Sequence, residues 1–198
     1  MEIVIASNNL HKIRELREML KKIQGLDVLS LLNFPEYVSL PENGKTLKDN
    51  VILKAEHASK TLNKWVLADD SGLFVPGLGG DPGIMSRRYA GDDATDTENR
   101  TKLLAEMQGM EGLKRAAYFE CCLALAHPDG LKKCVKGTCE GLIIDEERGR
   151  NGFGYDPIFV KNDYDKTFAE IDETTKNRIS HRRKALDRLL PTIETITS

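Results

Sequence analysis

The 198-residue chain contains no apolar run near the roughly 20 residues that a bilayer-spanning helix needs, so no membrane span is expected. Its opening, MEIVIASNNLHKIREL, gives a few apolar residues and then charge at once, unlike a secretory signal; a cytoplasmic location is the expectation. Charge of one sign is also missing. Lys and Arg total 29 against 31 Asp and Glu, a net charge of -2. Broad electrostatic binding to nucleic acid or to a membrane surface is therefore not expected, although a polyphosphate needs only a few placed cations. Cysteine is sparse: Cys121, Cys122, Cys134 and Cys139. The adjacent pair lacks the C-x2-C spacing of a zinc knuckle, and neighbouring strand residues face opposite ways, so reduced thiols acting as small core residues are expected. No repeat, low-complexity tract or Pro/Ser-rich linker divides the chain. With 40% hydrophobic and 30% charged residues it can bury a substantial core, as one domain or as two lobes sharing a sheet.

What is present alternates between strand and helix signals. EIVIA (2–6) leads into a helix in which Leu10, Ile13, Leu16, Leu20 and Ile23 recur at helical spacing, with Gly25 as its stop. Thr46 to about Leu62 forms a second helix with Thr46 as N-cap and Asp49 in the capping-box position. WVLAD (65–69) predicts a short strand ending in carboxylates, and Asp96 to Met107 a third helix. AAYFECCLALA and KKCVKGTCEGLII predict strands joined by the turn HPDG, and Thr174 to Leu190 a single final helix. Helices and strands alternate early and strands adjoin later, which predicts an α/β protein with a mixed sheet.

Four places carry chemistry. Asp69 and Asp70 in ADDSGL sit where a strand meets a turn, the region where α/β sheets gather ligands. Taken alone, the pair is equally an Asp-rich surface turn. Glu42 precedes a helix start, where negative charge is favoured anyway. Read together, Glu42, Asp69 and Asp70 suit a hard cation such as Mg2+, which takes oxygen ligands and usually one or two carboxylates plus phosphates. In ASNNLHK, Ser7, Asn8 and Asn9 lie between strand and helix, with Lys12 in the first helical turn. That arrangement suits a phosphate or, more plainly, an Asn cap. No Walker loop is present. Lys54 would add a second cation. GFGYDP sets Phe153 and Tyr155 among glycines, open to a flat ligand or packed as core aromatics, with Asp156 offering acceptors. In the last helix, Ile179, Leu186, Leu189 and Leu190 define an apolar stripe that includes Arg182, with His181 at its edge and Lys176 near the start. A buried Arg182 needs an acceptor, either a protein carboxylate or a ligand carbonyl.

In order along the chain, SNNLHK (7–12), PENGKTLKDNVILKA (41–55), ADDSGL (68–73), PGIMSRRYAG (82–91), AAYFEC (116–121), GFGYDPIF (152–159), AEI (169–171) and KNRISHRRKAL (176–186) together resemble the inosine triphosphate pyrophosphatase family. The collinear set spans nearly the whole chain. The resemblance implies a single two-lobed nucleoside triphosphate pyrophosphatase domain over residues 1–198, a long mixed sheet flanked by helices, an active-site cleft between the lobes, and a homodimer. It implies Mg2+-dependent hydrolysis of the non-standard purine triphosphates ITP, dITP and XTP to monophosphate and pyrophosphate. Asp70 would be the catalytic group, with Glu42, Asp69 and Asp70 near the metal. Ser7, Asn8, Asn9, Leu10, His11, Lys12, Lys54 and Ser71 would handle the phosphates. Phe153, Gly154, Tyr155, Asp156, Lys176, His181 and Arg182 would hold the nucleoside. Two departures, Arg87 in SRRYAG and TLKDN in the second motif, touch no proposed catalytic atom.

On this reading Asp70 either takes a proton from the attacking water or, preferably, holds a metal-bound hydroxide, since a carboxylate ligated to Mg2+ is a weaker base. Lys and Arg only donate hydrogen bonds, so a pocket lined by them accepts a 6-oxo purine and rejects adenine. Competing expectations are a pyrophosphatase for pyrimidine or modified nucleotides, a sensor that binds nucleotide without cutting it, and a nucleic-acid-binding protein, which the net charge disfavours.

Overall fold

The computed structural model describes residues 1–197. Its centre is a six-stranded sheet in the order β2-β1-β3-β4-β5-β6: β1 (Glu2–Ala6), β2 (Asp27–Ser30), β3 (Trp65–Phe74), β4 (Ala116–His127), β5 (Gly130–Ile143) and β6 (Phe159–Lys161). Five helices accompany it: α1 (Leu10–Leu20), α2 (Leu47–Leu62), α3 (Asp96–Glu106), α4 (Glu173–Ile179) and α5 (His181–Thr197). The sheet is mixed, as the sequence predicts. β1 pairs in parallel with β2 and with β3, in a register that sets Ile5 opposite Leu67, while β5 and β6 are antiparallel. Parallel neighbours need a crossover, and α1 and α2 supply it.

The chain divides into two compact units. The first comprises residues 1–70, 121–137 and 182–197, the second 71–120 and 138–181. In the first, Ile3, Ile5, Leu67, Leu123 and Leu125 from the strands pack with Ile13, Leu16 and Leu20 of α1 and with Leu186, Leu189 and Ile193 of α5. The second has its own core of Leu73, Leu103, Met107, Phe119, Phe159 and Phe168. Among the described residues, no helix is long and apolar enough to cross a membrane.

Local chemistry sets the helix starts. The Asn9 side chain accepts the His11 and Lys12 N–H groups at 3.0 and 3.1 Å and caps α1. Thr46 caps α2 by accepting the Asp49 N–H, as expected, and α3 opens on a full capping box between Thr95 and Glu98.

Two expectations are corrected and one strand is added. The strand expected at 65–69 runs on to Phe74, so Asp69 and Asp70 sit in mid-strand and not at its end. The four-residue strand Asp27–Ser30 carries no strong period and was not foreseen. The single helix expected from Thr174 to Leu190 is two: Ser180 is extended (φ -71, ψ 164), and a new helix starts at His181. A single backbone break within a continuous amphipathic pattern leaves no mark in the hydrophobic period. The cysteines are free thiols, with Cys121, Cys122 and Cys139 buried.

Candidate active site

In the first unit the site is built around mid-β3. Successive strand side chains point to opposite faces, so Asp69 and Asp70 go different ways. Asp69 is 1% exposed. Its Oδ1 pairs with Lys12 Nζ at 2.5 Å, and its Oδ2 with Arg182 Nε at 2.7 Å. The Cys121 thiol lies 3.2 Å from the same Oδ2. Arg182 also pairs with Glu15. Burial alone would raise the Asp69 carboxyl, but Arg182 and then Lys12 outweigh it and hold it well below the usual carboxylate range. Burial likewise works against the Lys12 ammonium, and Asp69 overcomes it, leaving Lys12 raised.

Asp70 is different. It is 8% exposed, and desolvation pushes its carboxyl up, opposed by Lys12 and Lys54 and reinforced by Glu42 and Asp69. Lys54, on α2, pairs with Glu42 at 2.5 Å and donates to the Asp69 carbonyl at 3.2 Å. Thus one buried carboxylate lies within the fields of two ammonium groups and two further carboxylates.

Among the described residues, no three His, Cys, Asp or Glu side chains are grouped so as to hold a metal ion. Both Asp69 carboxylate oxygens face cations, Lys12 and Arg182. Glu42 and Asp70 remain as oxygen donors, and two carboxylates completed by phosphate oxygens match what Mg2+ commonly accepts. The residues therefore fit this ion with two protein ligands.

Around α1, Ser7 is buried and its Oγ accepts the Asn9 N–H at 3.1 Å. Because Asn9 caps the helix, the His11 and Lys12 amides face its side chain; the cationic contribution of this turn comes from Lys12. Asn8, Leu10 and His11 are exposed. Ser71 follows Asp70 on β3 and is the first residue of the second unit.

The second unit carries the other candidates. Phe153 is half-buried, with Lys176 Nζ 4.7 Å from its ring centroid. Lys176 pairs with Asp156 at 2.6 Å, both side chains being 4% exposed, and Asp156 also accepts the Phe153 N–H at 2.9 Å. His181 is buried and stacks on Phe119, ring centroids 4.7 Å apart. Tyr155 and Arg182 both have protein partners. Tyr155 belongs to the core, with its hydroxyl donating to the Ser86 carbonyl at 2.9 Å, while Phe153 is half-buried. Arg182 lies in the first unit and answers Asp69 and Glu15; the acceptor that a buried arginine requires is protein carboxylate.

Sequence reasoning missed Glu15, Asp96 and Arg100. Glu15 had one signal: it shares a flank of α1 with Lys12, three residues away, and with the buried Met19. Asp96 donates nothing and accepts the Gly154 N–H at 2.8 Å, while Arg100 Nη1 donates to the Gly154 carbonyl at 2.7 Å. These pairings over more than fifty residues have no local signature.

A mixed α/β sheet with a buried carboxylate between lysines defines a protein built for an anionic ligand. The chain belongs to the Ham1 family, whose model matches residues 3–192. The resemblance drawn from the collinear motifs holds. It is 62% identical over 197 residues to a dITP/XTP pyrophosphatase from Protochlamydia amoebophila, covering 99% of both chains. It is 48% identical to one from Chlamydia abortus, covering 98% of this chain and 95% of that one. Among solved structures it is similar to the Staphylococcus aureus Ham1 protein (TM-score 0.86, 42% identity, 98% and 99% of the two chains). It is also similar to a HAM1 protein from Coxiella burnetii (TM-score 0.87, 39% identity, 98% of each).

Proposed function

We propose that this chain is a Mg2+-dependent pyrophosphatase that hydrolyses ITP, dITP and XTP to the nucleoside monophosphate and pyrophosphate, clearing them from the nucleotide pool. The observation that carries the reading is Asp70, a buried carboxylate with Lys12, Lys54 and Glu42 in its field. The names of the P. amoebophila and C. abortus relatives support the substrate class. The motif resemblance supports a homodimer.

Lys12 and Lys54 bind the polyphosphate. Lys12 arrives already oriented, because Asp69 fixes its ammonium and is itself fixed by Arg182; a preset cation costs no reorganisation during reaction. Asp69 is thus a positioning residue and not a metal ligand. Glu42 and Asp70 would hold Mg2+, which when bound neutralises charge on the phosphate oxygens. Lys54, paired with Glu42 at 2.5 Å in the free chain, would exchange that carboxylate for a phosphate oxygen on nucleotide binding. Asp70 orients the attacking water and accepts its proton; a bound cation would make it a weaker base than burial alone does. In the second unit Phe153 stacks on the purine. The Lys176 ammonium has three N–H donors, one directed at Asp156, and another serves the 6-oxo group. Adenine presents a donor there and is rejected.

Product analysis tests the reading. ITP or XTP with Mg2+ should yield monophosphate and pyrophosphate, faster than ATP, GTP or dTTP. A diphosphate plus orthophosphate would mean cleavage at another bond, and binding without products would make the chain a sensor.

A further inference from the structure

We propose that Asp96 and Arg100 are positioning residues that lock the Gly154 peptides, and through them the Phe153 ring, in the orientation a purine base requires; this rests on the nucleotide reading above. Gly154 has φ +58, a conformation that glycine enters and leaves easily, so nothing in its own backbone fixes the loop. α3 supplies the fixing. Asp96 accepts the Gly154 N–H at 2.8 Å, and Arg100 donates to the Gly154 carbonyl at 2.7 Å, so both peptide groups flanking one α-carbon are held. The Arg100 guanidinium is aimed by a two-pronged pairing with Glu147, Nε to Oε1 at 2.8 Å and Nη2 to Oε2 at 3.0 Å, and by Thr97 at 3.1 Å. That fork leaves Nη1 pointing at the loop. The preceding N–H, that of Phe153, goes to Asp156, which also carries Lys176. Phe153 is thereby fixed from both directions along the chain.

Neither residue is needed to start its own helix. The α3 cap is supplied by Thr95 and Glu98, which bond each other's backbone N–H groups at 3.2 and 2.7 Å. Asp96 stands one residue further on and is directed at the loop. This separation of cap from clamp makes the inference testable.

The experiment measures inosine 5′-monophosphate and pyrophosphate affinities by calorimetry with Mg2+, alongside kcat and KM for ITP. Asp96→Ala should weaken monophosphate binding about tenfold and raise KM in proportion. It should leave pyrophosphate affinity and kcat within about twofold. Asp96→Asn, which keeps an oxygen acceptor, should restore most of the loss. Arg100→Lys keeps the charge, loses the fork and should repeat the alanine pattern if Asp96→Ala fails to fold. Thr95→Ala is the control: it weakens the α3 start and should leave nucleotide affinity unchanged. Equal weakening by Thr95→Ala, or parallel loss of pyrophosphate affinity in Asp96→Ala, would overturn the clamp. A wild-type chain that binds inosine monophosphate without turnover would sink the enzymatic reading alone, and the clamp would still be judged on the monophosphate affinities. A wild-type chain that does not bind the monophosphate would overturn both.

Discussion

Arg182 and Asp69 lie 113 residues apart and meet with Nε 2.7 Å from Oδ2, both side chains at 1% exposure or less. Two buried charges together with Glu15 and Lys12 make a chain of four ionised groups inside the first unit. Such a set adds little net stability when complete, because desolvation offsets the Coulomb gain; breaking it is another matter.

Arg182→Met leaves Asp69 and Glu15 without their shared cation. The expected loss is about 3–5 kcal/mol in urea unfolding, the range for stripping one partner from a buried pair. Arg182→Lys should recover only part, since one ammonium cannot reproduce a fork that serves two carboxylates. A loss under about 1 kcal/mol, the level of exposed pairs, would contradict the buried network.

Stability should fall in acid because of Asp69. Its carboxyl is lower in the folded chain than its ordinary 3.8, so folding favours the ionised form. That contribution is complete above 3.8 and drains away as pH drops through the folded value. Melting temperature measured from pH 6 to pH 2 should decline more gently in Asp69→Asn, from a lower starting point. Identical slopes would remove Asp69 as the source.

Asp70→Asn separates catalysis from folding. Burial and neighbouring acids raise the Asp70 carboxyl, so its ionisation opposes folding near neutrality. The variant should be at least as stable as the parent, bind nucleotide measurably and lose turnover. Retained pyrophosphate release would refute the assignment.

Chelation should stop turnover and Mg2+ should restore it. Glu42→Gln should raise the Mg2+ concentration for half-maximal rate, by about tenfold or more if one of two protein carboxylates is lost. An unchanged Mg2+ requirement would leave Glu42 as no more than the partner of Lys54.

Phe153→Leu and Tyr155→Phe should differ sharply. The first removes a stacking face worth about 1–3 kcal/mol and should raise KM for ITP by about five- to a hundredfold. The second removes a buried hydroxyl bond to Ser86 and should cost about 1 kcal/mol of stability with KM unchanged. A KM effect at Tyr155 as large as that at Phe153 would restore it to the base site.

Much of this was legible in the chain. Asn9 and Thr46 announce their helices because capping is satisfied within three residues. The alternation of strand and helix announces the mixed sheet, since crossovers between parallel strands must contain a helix. Asp70, Glu42, Lys12 and Lys54 are named by motif because each lies in a short segment with a chemical pattern. The length of β3 was underestimated: mid-strand carboxylates look like a turn until partners such as Arg182 make their burial tolerable.

The local code, then, determined where elements begin, which residue types carry charge, and which family the chain joins. Only tertiary structure decided how those charges are shared out. It pairs Asp69 with Lys12 and Arg182, Arg182 also with Glu15, and the Tyr155 hydroxyl with the Ser86 carbonyl. The reason is physical: a buried ion is tolerated only beside its partner, and here the partner comes from a helix more than a hundred residues away.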